Sequence, residues 1–147
     1  KYDYVYKLKQ DFPNDEIIIN GGITSVDEIK PLLEKTDGVM IGRAAYHTPY
    51  ILADIEKEIF NNENVPSRQD VIEQLIPYVK SELKKGTRLN QIMRHTLGLF
   101  HGQSGASYWK RYLSENMCVR DADVKKIDHI MDKVKFNNFD RSVGSSA

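Results

Sequence analysis

The sequence predicts an α/β unit followed by an all-α helical bundle. Two short apolar runs, "EIIIN" (16–20) and "DGVMIG" (37–42), each end in a glycine-bearing turn, and after "NNENVPS" (61–67) only helical spacing remains. Charge divides at the same place: residues 1–65 hold 7 Lys/Arg against 12 Asp/Glu and residues 66–147 hold 14 against 9, although the chain of 147 residues is neutral as a whole. Within Lys80 to Arg111 seven basic residues stand against Glu82 alone. Such asymmetry fits either a polyanionic partner for the second half or a basic helix face that is merely solvated.

In order along the chain, Tyr2, Val5, Leu8 and Phe12 recur at helical spacing, and Pro13 with Asn14-Asp15 closes a helix of about three turns. Three consecutive Ile then predict a strand buried on both faces, as in a parallel sheet. Ser25 with Glu28 three positions later forms a capping box for a helix through Leu32-Leu33, which Pro31 should kink or restart. "DGVMIG" is the second strand. A turn-rich piece (43–49) leads to the amphipathic helix "YILADIEKEIF". Beyond the linker, Ser67 caps "RQDVIEQLIPYVKSELKK", with Gly86 closing it and Pro77 predicting a kink. "RLNQIMRHTLGLF" reads as a helix or a pair of turns, "GASYWKRYLSEN" and "DADVKKIDHIMDKVKF", the latter capped by Asp121, read as two further helices, and the tail 141–147 reads as disordered.

Two parallel strands do not make a sheet. Strands this apolar need neighbours at both edges and helices on both faces, so the first part is expected to belong to a larger α/β structure. The start "KYDYVYKLKQ" has neither an initiator Met nor a secretory apolar region, which also suggests a fragment. No apolar run approaches the roughly 18 residues of a membrane span. A soluble, cytoplasmic protein is expected, and the single Cys118 excludes an internal disulfide.

The glycine turns are the first candidate site. In a (β/α)8 barrel the loops after the last two strands often form a phosphate site at the C-terminal rim. Bare amide N–H groups must aim at the anion, and glycine lets the backbone approach without a Cβ in the way. Gly21-Gly22 suit the first turn and Gly42 the second, while Arg43 adds a permanent, bidentate-capable charge. Asn20 ends its strand where it can hold the loop or donate to a ligand. Glycines also close βα turns in many folds. The pairing is more specific, because the spacing of about 22 residues is that of successive parallel strands joined by one crossover helix.

The second candidate site is the basic, aromatic stretch of the helical half. Arg94, His95, His101, Tyr108, Lys110 and Arg111 mix phosphate-neutralising charge with rings able to stack on unpaired bases. Trp109 and Leu113, four apart on one helix face, read as core, whereas Tyr108 and Arg111 share another face and read as contacts. His95 and His101 have no further His or Cys at zinc spacing, so no metal is expected.

With these residues in place, "VYKLKQDFP", "INGGI", "DGVMIGRAAYHTPYIL" and "RHTLGLFHGQSGASYWKRYLSEN" together resemble the tRNA-dihydrouridine synthases, in their DusA branch. The resemblance runs from Tyr2 to about Asn116. It implies that residues 1–62 are strands 7 and 8, with their helices, of an FMN-binding TIM barrel, and that 66–140 form a helical tRNA-binding domain. It implies an FMN-dependent enzyme using NADPH to reduce the C5–C6 bond of uridines at positions 20 and 20a of the tRNA D-loop. Asn20, Gly21, Gly22, Gly42 and Arg43 match the family's flavin-phosphate residues, and Arg94, His95, Tyr108, Lys110 and Arg111 fall in its tRNA-holding domain. The family's cysteine acid sits after the third strand and has no counterpart here, so no catalytic residue is assigned and this polypeptide alone is expected to be inactive. Cys118 matches no catalytic motif. Ser104 and Ser107 depart from the family's usual proline and arginine. A stand-alone RNA-binding helical module, or another FMN barrel such as a dihydroorotate dehydrogenase, stand as the alternatives. The second of these leaves the basic half unexplained.

Overall fold

A computed structural model describes residues 2–119 and 122–133. The proposed Asp121 cap and the expected disordered tail lie outside these residues. The chain divides into two compact units, 1–65 and 66–147.

The first unit runs α1 (Asp3–Asp11), β1 (Ile18–Asn20), α2 (Val26–Leu33), β2 (Gly38–Met40), α3 (Arg43–His47) and α4 (Ile51–Glu58). β1 and β2 pair in parallel with Ile18 opposite Gly38, Ile19 opposite Val39 and Asn20 opposite Met40. The α2 crossover begins at the predicted capping box: Ser25 Oγ accepts from the Glu28 amide, and the Glu28 carboxylate accepts from the Ser25 amide. Pro31 lies inside α2, which runs on past it to Leu33. The core gathers Ile19, Ile23, Ile29 and Leu32, with Tyr2, Val5, Tyr6, Val39 and Ile55 packed against it.

The strand expected to be buried on both faces is buried on one. Ile19 is inaccessible while Ile18, pointing to the opposite face, is 55% exposed. Three successive Ile report β propensity, but burial needs a layer on each side, and only one face of this two-stranded sheet is covered. Asp37 closes the unit's lower end. Its carboxylate accepts from the Ile17 amide at 2.8 Å and pairs with Lys9 at 2.8 Å, joining α1 to the entry of both strands.

The second unit contains α5 (Arg68–Lys84), α6 (Leu89–Met93), a 3₁₀ turn (Arg94–Thr96), α7 (Ala106–Asn116) and α8 (Lys125–Lys133). Ser67 caps α5 through a reciprocal pair with Asp70. Pro77 is accommodated within one 17-residue helix. The segment "RLNQIMRHTLGLF", expected as a helix or a pair of turns, forms the short α6 followed by the 3₁₀ turn, where the Thr96 hydroxyl donates to the Met93 carbonyl at 2.8 Å. Trp109 is fully buried, edge-on to Phe100 with ring centroids 4.7 Å apart, and its Nε1–H donates to the Thr96 carbonyl at 3.0 Å. The indole thereby anchors α7 to the 3₁₀ turn, and Leu89, Met93, Met117, Ile127 and Ile130 complete a closed core.

Candidate functional site

The two glycine turns meet at one end of the small sheet. Asn20, Gly21 and Gly22 leave β1, Gly42 and Arg43 follow β2, and all five line a single open cleft of about 640 Å³. Thr24, Met40, His47 and Thr48 add to its wall. Parallel pairing brings this about: two strands running the same way discharge their following loops on the same edge, so residues 20 and 42 become neighbours although the crossover separates them in sequence.

The local backbone explains the residue types. Gly21 has φ +137° and Gly22 φ +70°, conformations that L side chains rarely adopt, and nothing stands within 4 Å of a Cβ built on Gly22. Glycine at 21 and 22 is thus set by backbone conformation, and the space in front of Gly22 is open. At Gly42 φ is −102° and an added Cβ would meet only Met40 Sδ at 3.9 Å. No described atom crowds a Cβ at that position, so the close approach expected of this turn is a matter for whatever enters the cleft.

The first turn is held on both sides by side-chain hydrogen bonds. The Tyr2 hydroxyl donates to the Gly21 carbonyl. Beyond Gly22, the Glu28 carboxylate accepts from the Thr24 amide at 2.6 Å and from the Thr24 hydroxyl at 3.1 Å. These donors, the Thr24 amide foremost, hold the Glu28 carboxyl below the usual carboxylate range. The Glu28 contact was foreshadowed by the capping box. The Tyr2 contact spans 19 residues and has no local signal. Arg43 is exposed at the start of the five-residue α3, and no ion pair involves it among the described residues.

In the helical unit the predicted contact residues are exposed, Arg94 and His95 in the 3₁₀ turn and Tyr108, Lys110 and Arg111 on two sides of α7. Tyr108 and Arg111 come together, with the guanidinium carbon 5.7 Å from the ring centroid. At about 100° of rotation per residue, Lys110 stands a quarter-turn or more away from Arg111. Arg94 sits beside Leu113 and Ser114 of α7. It lines a smaller cleft of about 230 Å³ with Met93, Leu97, Leu113 and Ser114. His95 is exposed within the 3₁₀ turn. An aromatic run not anticipated from sequence continues from Tyr108: Tyr112 follows at 6.2 Å between centroids and His129 of α8 stacks on Tyr112 at 5.8 Å. Cys118 is an exposed free thiol, its Sγ 3.9 Å from Asn90 Nδ2. Among the described residues no group of three His, Cys, Asp or Glu is placed to hold a metal ion, and no helix is long and apolar enough to cross a membrane.

Comparison with known proteins finds relatives over most of the chain. A tRNA-dihydrouridine(20/20a) synthase of Synechocystis is 44% identical over 137 residues, covering 92% of this chain and 41% of the relative. Those of Escherichia coli K12 and Vibrio cholerae are 46% and 41% identical, covering 88% and 92% of this chain but 38% and 42% of themselves. The chain thus spans about two fifths of the length of the curated relatives it matches. The model of the dihydrouridine synthase (Dus) family matches residues 1–135, from the first helix through the cleft and into the last helix, and the chain therefore belongs to that family.

Proposed function

We propose that this chain supplies the last two strands of an FMN-binding TIM barrel, in residues 1–62, and a tRNA-holding helical domain, in residues 66–140, to a tRNA-dihydrouridine synthase acting at positions 20 and 20a. The observation that carries the reading is the convergence of Asn20, Gly21, Gly22, Gly42 and Arg43 on one cleft. That donor set fits a flavin phosphate: two glycine peptides with left-handed torsions, open space before Gly22, and a guanidinium without an ion pair among the described residues. FMN, when bound, supplies the hydride chemistry of uridine reduction, with NADPH as the reductant of the whole protein. The residues of this chain hold the cofactor's tail. Asn20 orients the loop, the Gly21-Gly22 amides face the phosphate, and Arg43 neutralises it.

In the helical unit Arg94, His95, Tyr108, Lys110 and Arg111 form the tRNA grip. Their spread over the 3₁₀ turn and two sides of α7 suits a partner recognised by shape and backbone, with Arg94 and Lys110 meeting one stretch of phosphates and Tyr108 with Arg111 another. The names of the relatives support this substrate.

The test is genetic and chemical. Deleting the gene for the whole protein should abolish dihydrouridine at positions 20 and 20a, read by mass spectrometry of purified tRNA, and re-expression should restore it. Unchanged dihydrouridine would overturn the proposal, and would leave an FMN barrel acting on a small metabolite as the better account.

A further inference from the structure

Tyr2 holds a position that the family reading does not assign. Its hydroxyl donates to the Gly21 carbonyl, and its ring edge lies 3.7 Å from where a Gly21 Cβ would stand. The tyrosine is itself well anchored. It packs on the Ile19, Ile23, Ile29 and Leu32 cluster beside Tyr6, with the two rings 6.4 Å apart, and its own carbonyl accepts from the amides of Val5 and Tyr6 at 2.8 and 3.0 Å. The hydroxyl is therefore a fixed point against which the loop is set.

A trans peptide is planar, with its C=O and N–H pointing in opposite directions. Holding the Gly21 carbonyl toward α1 thus turns the Gly22 N–H the other way. That amide donates to no group among the described residues, and Gly22 lines the cleft. The torsions on either side belong to glycines, which resist rotation least, so without an external tether this peptide plane can swing. We propose that Tyr2 is a positioning residue: its hydroxyl locks the Gly21–Gly22 peptide so that the Gly22 amide is presented to the phosphate of the flavin cofactor. This rests on the FMN reading given above.

The experiment uses the whole protein stripped of flavin and titrated separately with FMN and riboflavin, followed by flavin fluorescence. Riboflavin lacks the phosphate and reports everything else the site offers. Tyr2→Phe keeps the ring that packs on Gly21 and removes only the donor. It should weaken FMN binding about fivefold, the worth of one ordinary hydrogen bond, and leave riboflavin binding unchanged. Equal weakening of both flavins would assign Tyr2 a merely structural role and overturn the proposal, as would unchanged binding of both. Failure of the underlying reading looks different: the unsubstituted protein would itself bind FMN no better than riboflavin.

Discussion

Among the described residues, nine of the twelve exposed large apolar side chains lie in the α/β unit, from Tyr4 to Phe60, and three in the helical unit. The largest fully buried side chains show the reverse, with Ile19 alone from the first unit and Trp109, Phe100, Ile72, Leu89, Val79 and others from the second. The helical unit closes its own core. The α/β unit leaves the far face of its sheet open at Ile18 and Met40. The same contrast extends to function. In the α/β unit the candidate chemistry is carried mainly by backbone, presented by glycines at the ends of parallel strands. In the helical unit it is carried by long side chains projecting from a rigid helix.

The largest expected effect targets the self-contained core. Trp109→Ala removes a fully buried indole, its edge contact with Phe100 and its hydrogen bond to Thr96, and should cost about 3–5 kcal/mol in urea unfolding. Tertiary signals from the helical unit should melt first while the glycine-lined cleft persists. If FMN binding fell in parallel, the two units would be less independent than their separate cores imply.

A smaller effect is expected where function rests on backbone. Gly21→Ala forces a Cβ onto a residue at φ +137°, a strain of about 1–3 kcal/mol. The loop should relax out of its torsions, so calorimetric titration should show FMN affinity falling while tRNA affinity is kept. An unaffected FMN affinity would mean that the turn's shape is not what grips the phosphate.

The smallest effect is electrostatic. The Lys9 ammonium and the Ile17 amide hold the Asp37 carboxyl below its ordinary range. With its folded pKa depressed, its contribution is present above the unfolded value of about 3.9 and is lost as pH falls through the folded one. Asp37→Asn should therefore flatten the acid side of the stability profile of the α/β unit, most visibly below about pH 4, with little change near neutrality beyond the loss of the ion pair. The helical unit's profile should not move.

Much of this was legible in the sequence because it is local. The Ser25/Glu28 box, the Ser67 cap, the Asn20-Gly21-Gly22 turn and the burial of Trp109 each declare themselves within a few residues. The misses are contacts between distant segments or facts about neighbours. Tyr2 to Gly21 and Lys9 to Asp37 join residues 19 and 28 apart, and no spacing rule reaches that far. Three Ile in a row announced a strand, but whether Ile18 is covered depends on what packs beside it. Periodicity left "RLNQIMRHTLGLF" open between a helix and a pair of turns, and the 3₁₀ turn after Met93 carries a Thr96 hydroxyl bond to the Met93 carbonyl that periodicity does not see.

The proposed division of labour sets a backbone site for flavin in the first unit against a side-chain surface for tRNA in the second. It is tested most directly by measuring FMN and tRNA affinities side by side for Arg43→Ala and Arg111→Glu in the whole protein. Arg43→Ala should weaken FMN retention and leave tRNA affinity nearly unchanged, whereas Arg111→Glu should weaken tRNA binding, lower its salt dependence by about one phosphate contact, and leave FMN in place. Equal loss of tRNA affinity in both variants would contradict the division.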